Sequence, residues 1–220
     1  MLFNSNTQQN WTTKIASHLL IAMTLTFSTL VATKMPAKAD APAPRNRLTI
    51  VEIRLLRDLI DGHNLAVQMA QVCVEKASRE ELRSICEQVI QTQQQEIQEM
   101  RSWLSNWYGI NYQPTANNFG RNVVKQLESL SGSQFEIEFM KALTSHHWGA
   151  IIFGGEIIDR AYHNEFIELA SNVITEQVDE IEQLRRMLRE IYGIQYNGAT
   201  GAGSSSMEPE PSLLAPGASR

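Results

Sequence analysis

The feature that most restricts this chain is a repeat with a fixed offset of 84 residues. Sliding the sequence by that amount lays Glu52 on Glu136, His63 on His147, Ala66 on Ala150 and Ala77 on Ala161. The match continues through Val89-Ile90 on Val173-Ile174, Gln93 on Gln177, Glu96-Ile97 on Glu180-Ile181 and Arg101 on Arg185. It closes, without a gap, with Tyr108-Gly109-Ile110 on Tyr192-Gly193-Ile194. A supersecondary unit that recurs in this way leaves an apolar face open when alone and buries it against its copy. The chain is therefore expected to be two copies of one folding unit packed face to face.

The period inside each copy identifies the unit. Leu56, Leu59, Ile60, His63, Ala66, Val67, Ala70 and Val74 recur every three or four residues, the spacing of one helix face. A second stripe runs Leu82, Ile85, Cys86, Val89, Ile90, Gln93, Glu96, Ile97, Met100, Leu104 and Trp107, and Gly109 supplies a stop. In the second copy Phe139, Leu143, His146, His147, Ala150, Ile151, Gly154, Ile157 and Ile158 share one helix. The next begins near Asn164 and carries Phe166, Leu169, Ala170, Val173, Ile174, Gln177, Glu180, Ile181, Leu184, Met187, Leu188 and Ile191 before Gly193. Three Ser/Thr-x-x-Glu patterns, Thr49 to Glu52, Ser78 to Glu81 and Ser133 to Glu136, read as capping boxes that open three of these helices. Gly149, Gly154 and Gly155 lie inside a helix, where each costs roughly 1 kcal/mol against alanine, and predict the close approach of another element.

The expected fold is all-α, a four-helix bundle over residues 50–196 made of two repeated helical hairpins, 50–112 and 134–196. The linker, 113–133, contains Pro114 and holds a short helix from Val123 to Leu130. Residues 40–49 are a Pro-rich lead-in, and 197–220, rich in Gly, Ser, Pro and Ala, read as a disordered tail. At 220 residues and 43% apolar content the chain suffices for one compact domain plus tails.

Residues 1–39 read as a signal peptide. Lys14 precedes an apolar run from His18 to Ala32, and Ala37-Lys38-Ala39 fits the small-x-small cleavage rule. Cleavage after Ala39 and export to a bacterial periplasm or exterior are expected. The alternative is an uncleaved anchor, but the run falls short of the ~20 residues that a spanning helix needs. Removing this leader leaves 16 basic against 24 acidic residues, a net of -8. Such a surface repels nucleic-acid phosphates and attracts cations. Export also permits a disulfide between Cys73 and Cys86, which lie on opposite arms of the first hairpin; burial as free thiols is the other reading.

Two polar residues interrupt each second-helix stripe, Gln93 with Glu96 and Gln177 with Glu180. A buried amide and carboxylate cost roughly several kcal/mol unless a hydrogen bond, a charge or a metal compensates them. In a bundle they face His63 and His147, making a polar layer in an apolar core. A metal site built inward from facing helices is the functional reading of that layer. A hydrogen-bonded network around neutral imidazoles, which adds specificity without activity, is the bland one.

The second copy carries Leu127 to Phe135, Phe139, His146-His147, Gly149-Ala150-Ile151 and Gln177-x-x-Glu180-Ile181; the first carries His63, Ala66, Met69-Ala70 and Gln93-x-x-Glu96-Ile97-x-x-Met100. These residues resemble the signature of the domain of unknown function 305 family. The resemblance implies a ferritin-like fold, export and a role in binding copper or another metal. Carried over by position, it implies His146, His147 and His163 as ligands in the second copy and His63, Met69 and Met100 in the first. Histidine with thioether suits copper, Cu(I) in particular. The sequence departs from the family pattern where the paired methionines before the two histidines are Ala142 and Leu143, the methionine after them is Phe153, and the later one is Leu184.

Enzymatic readings find no motif. Di-iron chemistry in a ferritin-like bundle needs Glu-x-x-His on two helices, and none is present. Gly-x-Ser-x-Gly, the Walker loop and His-Glu-x-x-His are also missing. The expected function is an exported metal-binding protein that handles copper or confers tolerance to it in the cell envelope. The alternative is a degenerate bundle without metal, acting as a structural or partner-binding module. The expected partner is a metal ion, with a second copy or another envelope protein beyond it.

Overall fold

A computed structural model of the chain describes residues 46–197. The leader, most of the lead-in and nearly all of the tail lie outside the described residues. Five helices follow one another: α1 (Arg47–Lys76), α2 (Glu80–Tyr108), α3 (Asn118–Ser129), α4 (Gly132–Arg160) and α5 (Asn164–Tyr192). No strand occurs among the described residues.

The hairpins α1–α2 and α4–α5 join through α1 and α4, and α3 packs against both of these. Arg54 meets Glu156 while, at the other end, Lys76 Nζ donates to the Leu130 carbonyl just before α4, so α1 and α4 run antiparallel. The linker helix is longer than the sequence pattern predicts, because Asn117 caps it by accepting from the Gly120 N–H at 2.7 Å.

Two apolar clusters form the core. One gathers Cys73, Leu82, Phe135, Phe139 and Leu184 with Leu127 of α3; the other gathers Leu56, Leu59, Trp103, Trp107 and Phe166. Along each long helix the chain passes from one cluster to the other through a buried polar position: His63, Gln93 with Glu96, His147 and Gln177. Ile158, expected in the core, is 41% exposed because it lies about 100° round the helix from the fully buried Ile157. Cys73 and Cys86 form a disulfide with Cα atoms 6.2 Å apart, joining α1 to α2. Their counterparts at the 84-residue offset, Ile157 and Ala170, are buried apolar residues.

The helix starts differ from the expected capping boxes. Asn46, not Thr49, caps α1: its side chain accepts from the Leu48 and Thr49 N–H groups, and Thr49 Oγ1 accepts from Asn46 N at 3.0 Å. The N-cap residues of α2 and α4, Arg79 and Ser131, make no side-chain cap bond. Glu136 instead reaches across to the other hairpin, where Oε1 accepts from Ser78 N at 2.8 Å and Arg79 N at 3.2 Å, satisfying the free donors of α2. Glu52 does the same for α5, accepting from Tyr162 N at 2.8 Å and His163 N at 2.7 Å. Tyr108 and Tyr192 complete the two clamps by donating their hydroxyls to Glu52 and Glu136.

Of Gly149, Gly154 and Gly155 only Gly154 marks a close approach. A Cβ there would lie 2.7 Å from Ile174 Cγ1 of α5, whereas Gly149 and Gly155 would meet nothing within 4 Å. The expectation for those two is corrected: an added Cβ would point into open space, Gly155 being exposed and Gly149 partly so.

Candidate functional site

The layer between the clusters holds the histidine pair and its surroundings. His63 of α1 is 1% exposed and His147 of α4 is fully buried. His63 Nε2 lies 3.0 Å from Glu96 Oε2, and His147 Nε2 lies 2.7 Å from Glu180 Oε2, so each imidazole meets a carboxylate of its own hairpin. These are ion-pair distances, yet neither contact has the direction of a hydrogen bond. His63 Nε2, both ring nitrogens of His147, Glu180 Oε2, and the Oε1 atoms of Gln93 and Gln177 have no hydrogen-bond partner among the described residues. Buried polar atoms are normally paired, each orphan costing ~1–3 kcal/mol, and here they concentrate in one layer.

His146 sits beside them and crosses to the other hairpin by donating to the Gly62 carbonyl of α1. Its ring centroid is 5.9 Å from that of His147. Burial of the ring, with the neighbouring His147 and His63, pushes its pKa down to about 3, against the opposing pull of the Gly62 bond. The residue keeps part of its surface accessible, so its neutrality at physiological pH is the firm consequence. A neutral imidazole that donates one N–H to a backbone carbonyl keeps the other nitrogen as a lone-pair donor, the state that ligates metals.

Glu176 belongs to this group although no stripe pattern marks it. It projects from the exposed side of α5, one turn before Glu180. Partial burial of its carboxyl group, followed by the charges of Glu96 and Glu180, holds its pKa above the ordinary value, with His63 pulling the other way. The four-residue spacing to Glu180 was the available signal.

The remaining candidate ligands lie elsewhere. Met69 and Met100 are 1% and 0% exposed and belong to the two different apolar clusters, so the layer divides them. His163, implied as a ligand by the resemblance, is the N-cap residue of α5 and only 8% exposed. Its Nδ1 is 2.7 Å from Glu52 Oε2, and its ring stacks on Trp107 with centroids 3.8 Å apart. It serves the Glu52 clamp and takes no part in the layer with His146 and His147.

Orphaned imidazole nitrogens and a neutral His146 suit a cation with nitrogen and oxygen ligands. No three His, Cys, Asp or Glu close around one point as in a finished metal centre among the described residues. The donor set fits a metal; the closed arrangement is missing.

Fold and layer together define a class: an all-helical bundle of two like hairpins with a buried imidazole–carboxylate layer across the core. Residues 52–188 match the model of a domain of unknown function, DUF305, and the chain belongs to that family. Its fold is shared with CopM in the Cu(I)-bound form, at a TM-score of 0.58 and 23% identity over 64% of this chain and 98% of that one. A DUF305 fragment from Deinococcus radiodurans superposes at 0.58 and 21% identity over 67% of this chain and 98% of its own. A DUF305 protein from Streptomyces coelicolor does so at 0.57 and 24% identity, over 65% and 92%. No match was found among curated proteins.

Proposed function

We propose that this chain is an exported metal-binding protein of the cell envelope and not an enzyme, with copper as its first candidate ion. The observation that carries the reading is the set of buried ring nitrogens on His63 and His147 without hydrogen-bond partners. His63, His146 and His147 are the side chains that would hold the ion, with Glu96 and Glu180 beside them. Bound copper would supply a strong electron-pair acceptor for those nitrogens, taking the place of the missing hydrogen bonds. CopM has been solved with Cu(I), Cu(II) and silver, which supports metal handling by this fold. The leader read in residues 1–39, and a Streptomyces coelicolor neighbour described as secreted, support export.

The test is copper content of the protein isolated from its native compartment, joined to calorimetric titration of the purified protein. Stoichiometric binding, abolished by His146→Ala with His147→Ala, is expected; a well-folded sample that binds no copper refutes the reading. The open arrangement of the layer and the placement of Met69 and Met100 in apolar clusters favour a second reading, a bundle acting as a structural or partner-binding module. In that case the double substitution changes stability alone.

A further inference from the structure

The two hairpins do not bare the same surface. Trp148, Ile152 and Ile158 of α4, Tyr162 just past its end and Val178 of α5 are large apolar or aromatic side chains that stay 41–64% exposed. Their counterparts at the 84-residue offset are Asn64, Gln68, Val74, Ser78 and Gln94. Four of these are polar, and Val74 is partly buried against an apolar cluster. Both hairpins build the same fold, so packing inside the bundle does not account for the difference. A contiguous apolar patch on a surface marks contact with something outside the molecule.

Trp148, Ile152, Gly155 and Asp159 recur at spacings of four, three and four, which sets them in one line along the outer side of α4. Val178 lies one turn beyond Ile174, the residue that a Cβ at Gly154 would meet, and widens the patch onto α5. Gly155 weakens the helix and serves no contact within the chain, since a Cβ there would meet nothing within 4 Å. It leaves a flat spot in the line of large side chains.

The geometry points to a second copy of this chain on that face, with the two α4 helices antiparallel about a twofold axis between Ile151 and Ile152. In that register Trp148 of each copy stands opposite the flat spot at Gly155 of the other, and the apolar centres meet. Charge selects the direction. Lys141, which also pairs with Glu138 of its own helix at 2.9 Å, lies on the same line before Trp148, and the exposed Asp159 lies on it after Gly155. Antiparallel pairing brings Lys141 of one copy within ~4.5 Å along the axis of Asp159 of the other, whereas parallel pairing sets like charges together. Area agrees with a dimer. At 41–64% exposure the five side chains leave on the order of 400 Å² bare, taking roughly 150–200 Å² as the full surface of each. Two copies cover roughly 800 Å² of apolar surface, which at the ~65% apolar share of homodimer interfaces corresponds to about 1,200 Å², where specific interfaces begin.

The experiment is sedimentation equilibrium of the purified protein over a range of concentrations, with a chelator present so that ions cannot bridge copies. It is run on the natural sequence, on Ile152→Glu and on Gln68→Glu, the counterpart change in the first hairpin. The natural sequence and Gln68→Glu are expected to pass from one copy to two as concentration rises, and Ile152→Glu to associate about tenfold more weakly or less still. At dilutions where every sample is a single copy, Ile152→Glu melts at the same temperature as the natural sequence, because the side chain is exposed. Lys141→Glu weakens association, and Lys141→Glu with Asp159→Lys restores it. A natural sequence that stays a single copy at every concentration overturns the proposal, whether or not phosphatidylglycerol vesicles bind it. Association that Ile152→Glu leaves unchanged, or that the double charge exchange does not restore, overturns it as well.

Discussion

Replacing Glu136 by Gln tests the clamp that holds the two hairpins together. The carboxylate is 2% exposed and accepts the Ser78 and Arg79 backbone N–H groups, the Tyr192 hydroxyl and the Arg79 guanidinium at 3.3 Å. Gln keeps the shape but offers one oxygen, so either the α2 donors or the Tyr192 and Arg79 pair meets an N–H₂ group. Hydrogen bonds to a charged acceptor contribute ~1.5–3 kcal/mol each and neutral ones about 1 kcal/mol. The half-exposed Arg79 adds little, because solvent screens its charge. Weakening two backbone bonds and misplacing one hydroxyl gives a loss of about 3 kcal/mol at pH 7. Burial works to raise the pKa of Glu136, but Tyr192, the two backbone donors and Arg79 outweigh it and hold the group below its ordinary 4.5. A carboxylate depressed in the folded state stabilises the fold above its unfolded pKa and loses that contribution as pH falls toward its folded value. Urea denaturation of both proteins should therefore show a gap of about 3 kcal/mol at pH 7 that narrows as the pH falls below 4.5 toward the depressed folded pKa. A gap under about 1 kcal/mol at pH 7, or one of equal size at pH 3.5, refutes the account of Glu136 as an ionised cap for the opposite hairpin.

The glycines of α4 separate packing from propensity. Gly154→Ala should destabilise by about 1–2 kcal/mol through the clash with Ile174, and Gly149→Ala should stabilise by about 0.5–1 kcal/mol, both read from thermal melts. Equal effects of the two would contradict the close α4–α5 approach. Removing the disulfide with Cys73→Ala and Cys86→Ala should cost about 3 kcal/mol in urea midpoint analysis, from the 13-residue separation it closes. A loss near zero would mean that the first hairpin is already as restricted in the unfolded chain.

Helix number, the two hairpins and the residues of the polar layer could be read in advance because they depend on local periodicity. A 3.6-residue period places His63, Gln93, Glu96, His147 and Gln177 on inward faces whatever those faces later meet. The 84-residue offset then puts the two sets at the same height in the bundle. What the faces meet depends on how α1 and α4 cross, and no local pattern encodes that. Glu52 and Glu136 looked like local caps, since Thr49 and Ser133 precede them at the right spacing, yet both cap helices of the other hairpin. His163 was a ligand candidate by position in the sequence, but in the fold Trp107 and Glu52 close around it. Met69 and Met100 share a buried class with the histidines, but their places along the bundle axis put them in opposite clusters. Glu176 lies on an outward face, and only the fold brings the charge of Glu96 to bear on it. The sequence by itself determined which side of each helix is buried, because that is a property of the helix. The tertiary structure decided which charges share a space, because that is set by distances between segments about a hundred residues apart, such as Arg54 and Glu156.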